Sequence, residues 1–265
     1  MKIVALNESL VNPLERYLRE DALFNLYLLY DLLFLRSTKA TFYVAFQRGE
    51  IDGTLLIFTH HPYPIVWVEG SVDSARELIR VPKLERAVFN VRADVVEIVE
   101  NAFTFTARYV MDYMVAKRDE ARPVIRHQVR RLASDDAYAY ATLRTALEGI
   151  EGPAGEEIQA ARDFIATNSV YGISMGEHLV ATAASHVKLP EGWAIGGVFT
   201  DPKYRGMGMA TSTSSAVLQE AFAQTENVVL FVRSDNVAAK RVYEKLGFKK
   251  LRERVWLDLG TGITP

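Results

Sequence analysis

Apolar positions along this chain follow two rhythms, and the order of those rhythms runs twice. Three- and four-residue spacing predicts a helix over 13–35, and alternating or β-branched runs predict strands over 41–47, 53–60 and 65–69. A helix over 73–80, a strand over 87–91, a helix over 94–101 and a long strand over 103–117 follow. The second half repeats this order. It has helices within 135–166 and strands over 170–175, 179–187 and 193–200. A helix over 207–224, a strand over 228–232, a helix over 236–246 and a strand over 249–259 complete it. Asn101-Ala102-Phe103 even falls where Leu246-Gly247-Phe248 falls in the second half. The pattern predicts two α/β domains in tandem, 1–122 and 123–265, parted at the charged, proline-ended stretch Asp119-Glu120-Ala121-Arg122-Pro123.

One turn of the second half carries candidate chemistry: Val198-Phe199-Thr200-Asp201-Pro202-Lys203-Tyr204-Arg205-Gly206-Met207-Gly208-Met209-Ala210. Pro202 has no N–H for a ladder and ends the preceding strand. Gly206 and Gly208 can take positive φ and leave room for a ligand against the backbone. From Met207 the spacing of Ala210, Ser214, Val217, Leu218, Ala221 and Phe222 is helical. The first N–H groups of that helix, its positive dipole end and Arg205 beside them suit a pyrophosphate. Small residues in Thr211-Ser212-Thr213-Ser214-Ser215 are expected to keep the mouth of the site open. A glycine pair before a helix also occurs as a plain tight turn, so what lies downstream matters.

Downstream, the apolar run over 228–232 predicts a buried strand. Asn236 is placed to cap the next helix and Gly247 to end it. On that helix Asn236 and Tyr243 are seven residues apart, about 20° short of two full turns, and share a face with the small Ala239. A packed amphipathic tyrosine is the alternative reading of Tyr243.

These residues resemble the acyl-CoA site of the GNAT superfamily of N-acetyltransferases. Arg205-Gly206-Met207-Gly208-Met209-Ala210 matches that family's [Q/R]-x-x-G-x-[G/A] pyrophosphate loop. Asn236-Val237-Ala238-Ala239 and Tyr243-Glu244-Lys245-Leu246-Gly247-Phe248 match its N-x-x-[A/S] and Y-x-x-x-G-F signature. The resemblance covers 124–259 well and the first 120 residues weakly. It implies an α/β (α+β) GNAT fold, a mixed, mostly antiparallel central sheet flanked by helices, present in two copies. Acetyl-CoA is the implied cosubstrate, with no metal.

The resemblance also implies roles. The backbone of Val198-Phe199-Thr200 would pair with the pantetheine arm as an added strand does. Residues from Arg205 through Gly206, Met207, Gly208, Met209 and Ala210 to Thr211 would hold the pyrophosphate, and Asn236, Ala239 and Tyr243 would line the cofactor from the later helix. The Val198 N–H would polarise the thioester carbonyl as oxyanion charge develops. An amine would attack directly, and Tyr243 would give a proton to the departing thiolate.

Where many family members carry a glutamate in the strand before the loop, this chain has Trp193-Ala194-Ile195-Gly196-Gly197. The paired glycines are read as a bulge or splay that opens the strand. His186 and Glu191 are the nearest sequence candidates for a base, and their plainer reading is as polar residues of a strand end and a turn. The first copy has Glu69-Gly70-Ser71-Val72-Asp73-Ser74 where the loop should be, with one glycine, no arginine and two carboxylates that repel phosphate. It is read as a degenerate, structural copy, the rival reading being a module that binds the acceptor. Arg126, Arg130 and Arg131, alternating with Val129 and Leu132, read as the wet face of the second domain's first strand.

For the acceptor, the segment holding Glu148, Glu151, Glu156 and Glu157 among glycines reads as an acidic loop that favours a cationic amine, or as a solvated loop. Glu151, Glu156 and Glu157 are the candidate acceptor-binding residues. His60-His61 reads as a strand end, because adjacent strand residues face opposite ways and cannot share a metal.

The formal charge of −2 disfavours a nucleic-acid surface or a polybasic membrane anchor. With no cysteine, disulfides and thiol nucleophiles are excluded. The segment Met1-Lys2-Ile3-Val4-Ala5-Leu6-Asn7-Glu8 turns polar too soon for a signal peptide. The apolar stretch over 25–35 is interrupted by Asp31 and short of a membrane span. The expectation is a cytoplasmic monomer or homodimer acting on a small-molecule or peptide amine, with neither nucleic acid nor membrane as partner. Three functions fit: an acyl-CoA-dependent N-acetyltransferase, a CoA-binding regulatory or scaffold protein, and an aminoacyl-tRNA-dependent peptide-forming enzyme. The Arg205 loop argues against the third, since a tRNA ester does not need it.

Overall fold

In the computed structural model, which describes residues 1–59, 63–147, 149–150 and 152–262, the chain begins β1 (Lys2–Ala5), α1 (Glu8–Arg19), α2 (Leu26–Tyr30), β2 (Ala40–Gln47) and β3 (Glu50–Phe58). Next come β4 (Ile65–Gly70), α3 (Val72–Leu78), β5 (Ala87–Arg92), α4 (Val96–Glu100) and β6 (Ala107–Lys117). It continues through β7 (Arg130–Arg131), α5 (Ala137–Leu147), α6 (Gly155–Thr167), β8 (Ser169–Met175), β9 (His178–Leu189) and β10 (Gly192–Thr200). It ends with α7 (Met209–Phe222), β11 (Asn227–Arg233), α8 (Val237–Lys245) and β12 (Lys249–Leu259). His60, His61, Glu148 and Glu151 lie outside the described residues.

Two compact units interleave along the chain. The first holds Met1–Tyr113, Val232–Asn236 and the chain from Lys250, and the second holds Met114–Phe231 and Val237–Lys249. The division therefore differs from a single cut at 122/123, because β12 pairs with a strand of the first half.

Strand order in the second unit is β11-β10-β9-β8-β7, with β10 and β11 parallel and the other neighbours antiparallel. α5 and α6 bury Tyr140, Leu143, Ala161 and Ile165 with Val170 and Ala184 of the sheet. α7 packs on β8, β9 and β10, where Met209 meets Ile173, Val180 and Ala181. The expected first strand shrinks to Arg130–Arg131. Arg130 stays exposed, as the wet-face reading expects, and donates to both carboxylate oxygens of Asp136 at 2.7 and 2.6 Å.

In the first unit the order is β1-β2-β3-β4-β5-β12, antiparallel except for the β4–β5 pair. β1 is too short to show in an apolar pattern. The helix expected over 13–35 is broken: α1 starts at Glu8, with the Asn7 side chain accepting from the Ser9 N–H at 3.0 Å. It stops at Arg19, where the Asn25 side-chain amide donates to the Leu18 carbonyl at 3.0 Å and competes with helix continuation.

β12 joins this unit for two reasons. Val255 and Leu257 enter the core with Val66, Val68, Phe89 and Val91. Arg254, 0% exposed, reaches from β12 to Glu69 of β4 (4% exposed), and its Nη1 donates to the Asn90 side-chain carbonyl of β5 at 3.3 Å. Its guanidinium lies 4.1 Å from the Phe24 ring centre and 4.8 Å from that of Trp67. Burial lowers the Arg254 pKa to about 9, still charged at neutral pH. A buried ion pair holds by mutual compensation, so losing one partner strands the other. Arg254→Ala is expected to cost about 3–5 kcal/mol in urea denaturation, and the paired change Arg254→Met with Glu69→Leu to recover most of that loss.

Candidate active site

β10 leaves its ladders where a ligand is expected. With β11 it pairs at Trp193–Val228 and Ala194–Val229, and the described register holds no pair beyond Ala194. On its other edge the pairs with β9 pass from Gly196–Ala184 to Phe199–Thr182, so Gly197 and Val198 are bulged out. Gly197 has φ +59, which a side chain would resist. The Thr182 hydroxyl donates to the Gly197 carbonyl at 3.0 Å. In a trans peptide the Val198 N–H then points away from Thr182. Thr200 Oγ1, at the end of the strand, is buried without a hydrogen-bond partner among the described residues.

A second irregularity explains the other glycine. Between Ala194–Val187 and Ile195–Ser185, β9 carries one extra residue, His186, which is a bulge within the strand and not its end. A Cβ on Gly196 would sit 2.7 Å from the imidazole Cε1, so the glycine makes room for the ring. Burial lowers the His186 pKa to about 4, and the ring is neutral at physiological pH. Glu191 sits in the turn between β9 and β10, where its backbone carbonyl accepts from the Asn227 side chain at 3.1 Å.

The loop after β10 is built from local rules. The Asp201 carboxylate accepts from the Lys203 N–H at 2.8 Å, and Arg205 Nε donates back to the Thr200 carbonyl at 3.3 Å. Gly206 has φ +77 with open space where a Cβ would project, and Gly208 has φ +82. Gly208 is the N-cap of α7, with no side-chain cap bond, so the first N–H groups of the helix remain for a ligand. α7 begins at Met209, two residues later than the spacing suggested, because the left-handed glycines must precede it. The small hydroxyl residues do not keep a mouth open. Ser212, Thr213, Ser214 and Ser215 are buried, and Ser212 and Ser215 accept the N–H groups of Arg126 and Val124 at 3.1 and 2.8 Å. Ala210 and Thr211 continue the first turn of α7.

On α8, the Y-x-x-x-G-F spacing has a structural cause. The Phe248 N–H bonds the Tyr243 carbonyl at 3.0 Å and the Gly247 N–H bonds the Glu244 carbonyl at 3.1 Å, a Schellman ending. The Tyr243 and Phe248 rings meet edge-to-face at 5.8 Å, the apolar contact such an ending favours. Tyr243 is 7% exposed, and burial raises its pKa to about 12, so the phenol stays protonated. Ala239 lies one turn earlier on α8, while Asn236, just before the helix, belongs to the first unit. The Glu157 carboxylate accepts from the Ala154 N–H and Glu156 is exposed beside it, both in the first turn of α6. An open cleft of about 700 Å³ between 119–122 and the end of α8 is lined by Arg122, Glu244 and Lys245, and includes neither the loop nor the bulge.

The corresponding turn of the first unit is closed by its own atoms. β4 and β5 stay paired from Ile65–Val88 to Val68–Val91. A Cβ on Gly70 would run into the Asp52 carbonyl, and the Asp52 carboxylate accepts from the hydroxyls of Ser71 and Ser74. Glu69, which would repel phosphate, faces Arg254 instead.

Residues 170–257 match the family model described as FR47-like protein. Mycothiol acetyltransferase of Mycobacterium leprae is 39% identical over 80 residues, 28% of this chain and 25% of that protein. The matched region thus spans about a quarter of that relative's length. A Drosophila protein of known structure superposes with a TM-score of 0.74 at 15% identity, over 97% of this chain and 98% of its own. A tandem GNAT protein from the clavulanic acid biosynthesis pathway superposes with a TM-score of 0.63 at 15% identity, over 99% of both chains. The fold is thus that of solved GNAT proteins, a tandem GNAT protein among them, and residues 170–257 carry the FR47-like segment.

Gly247 has φ +96, and a Cβ there would lie 2.7 Å from the Glu120 carbonyl oxygen and 2.9 Å from Ala121 Cα. Gly247→Ala is expected to destabilise the protein by about 2–4 kcal/mol in urea denaturation, through strain and overpacking together.

Proposed function

We propose that the protein is an N-acetyltransferase that moves the acetyl group of acetyl-CoA to a primary amine by direct attack. The carrying observation is the opened β10: a bulge with an outward Val198 N–H, beside a helix N-terminus preceded by two left-handed glycines and left uncapped. The residues fit the cofactor, since the Thr200 hydroxyl, without a partner among the described residues, and the open space at Gly206 are what a pantetheine–pyrophosphate chain would use. The word acetyltransferase in the Mycobacterium relative's name agrees with acetyl as the group moved.

The cofactor supplies an acyl thioester. Backbone groups of Val198 to Thr200 receive the pantetheine arm, and Arg205 and the N–H groups from Gly206 to Thr211 receive the pyrophosphate. The Val198 N–H stabilises the oxyanion as the amine nitrogen bonds the carbonyl carbon. Tyr243 donates its proton to the sulfur as the C–S bond breaks, so that a thiol leaves. The attacking nitrogen sheds its extra proton to solvent, and the Tyr243 phenolate takes one back from solvent. A thiol of pKa near 8.5 needs modest help, so positioning of the two substrates supplies most of the rate. The acceptor is read as a small-molecule or peptide amine, and the setting as cytoplasmic; no described helix is long and apolar enough to cross a membrane. A CoA-binding protein without turnover is the second reading, favoured by the poor basicity of His186. Thiol release from acetyl-CoA with a panel of amines separates the two, and binding without release supports the regulator.

Coenzyme A at 100 times its dissociation constant should stabilise the fold by about 2.7 kcal/mol, read as a thermal shift. Arg205→Glu should abolish that shift, and a full shift in this variant would misplace the pyrophosphate. Tyr243→Phe should lower kcat about 10- to 100-fold with coenzyme A affinity unchanged. With His186 neutral above about pH 5 and Tyr243 protonated to about pH 11, neither changes charge between these limits. The rate should therefore rise with pH as the acceptor amine loses its own proton. Acceptors of different pKa should move the limb in step, whereas one limb shared by all of them would reveal an enzymic base.

A further inference from the structure

The segment that opens the second domain of the sequence reading, 124–127, lies along α7 as a strap. Its Val124 and Arg126 N–H groups donate to Ser215 Oγ and Ser212 Oγ at 2.8 and 3.1 Å, and these two serines share one face of the helix. One residue on, His127 Nε2 lies 2.8 Å from the Met207 carbonyl oxygen. A carbonyl can only accept, so Nε2 carries the proton. The ring also lies against the cap of α7, 3.9 Å from where a Cβ of Gly208 would stand.

Met207 stands between two glycines at φ +77 and +82, and its own side chain is 55% exposed. Neither its neighbours nor its packing hold the adjoining peptide planes in one orientation. A carbonyl turned into this loop would face phosphate oxygens and repel them, while an N–H turned in would bind them. In a trans peptide the two groups point opposite ways, so whatever holds the Met207 carbonyl also aims the Gly208 N–H.

We propose that His127 is a positioning residue for the pyrophosphate of the cofactor: it holds the Met207 carbonyl out of the loop and thereby turns the Gly208 N–H toward the phosphate. This rests on the acetyl-CoA reading above. His127 touches neither the acyl group nor the thiolate, so its loss acts on affinity and leaves the chemical step alone. A glutamine at 127, whose side-chain amide can donate to the same carbonyl, substitutes for the imidazole.

The test measures coenzyme A binding by calorimetry for the wild type, His127→Ala and His127→Gln. It adds steady-state kinetics with acetyl-CoA and with S-acetylpantetheine, which lacks the pyrophosphate. His127→Ala is expected to raise the coenzyme A Kd and the acetyl-CoA KM about tenfold, with kcat within about twofold, and His127→Gln to restore most of the loss. With S-acetylpantetheine, His127→Ala should match the wild type. Unchanged coenzyme A affinity in His127→Ala overturns the proposal alone. An equal loss with S-acetylpantetheine also overturns it, since the strap would then act on the fold in general. A wild type that binds no coenzyme A overturns the cofactor reading and this inference together.

Discussion

Backbone groups that leave a ladder must find another partner, and β10 leaves its ladders on both edges. Past Ala194 it makes no described pair with β11, and at Gly197 and Val198 it swings away from β9. The Thr182 hydroxyl takes up the Gly197 carbonyl, which sets the plane of the next peptide and the direction of the Val198 N–H. The rest of the candidate site follows from that interruption. Gly197 supplies the left-handed turn, Gly196 yields space to the bulged His186, and the loop from Asp201 leads into an uncapped α7.

The two copies show how one topology gives opposite outcomes. In the first unit the parallel pair remains zipped to Val68–Val91, Gly70 is pressed against the Asp52 carbonyl, and the Asp52 carboxylate meets the hydroxyls of Ser71 and Ser74. Donors that could greet a phosphate are already satisfied by the chain. In the second unit the α7 N-terminus has no side-chain cap bond at Gly208, an arrangement a fold tolerates where solvent or a ligand reaches the first N–H groups. A single glycine with no arginine beside it marked the first copy as different, but the closing contacts come from Asp52 on a neighbouring strand.

Much of the second copy was legible because its signals are local. Gly206 and Gly208 announce left-handed backbone, and the spacing of Tyr243, Gly247 and Phe248 is that of a Schellman ending. Where contacts span distant residues, the pattern misled. The hydroxyl run after Thr211 reads as an open mouth, yet Ser212 and Ser215 are buried as acceptors for a strap. His127 sits in what reads as an alternating strand, and Thr182 is one polar position in an apolar one; neither carries a sequence signal of its role. The helix expected over 13–35 fails because Asn25 bonds a backbone carbonyl that periodicity does not see.

By itself the sequence determined the order of elements, the doubling of that order, the left-handed turns and the helix ends. Each of these depends on φ restrictions and hydrogen bonds within a few residues. Tertiary structure alone decided that β12 pairs with β5, that Arg254 is buried against Glu69, and that the Val198 N–H points away from Thr182. Strand partners and hydroxyl-to-carbonyl bonds join residues far apart in the chain. Any apolar strand could pair with several others, and which pairing buries the most surface while leaving no charge alone is settled only when the whole unit packs.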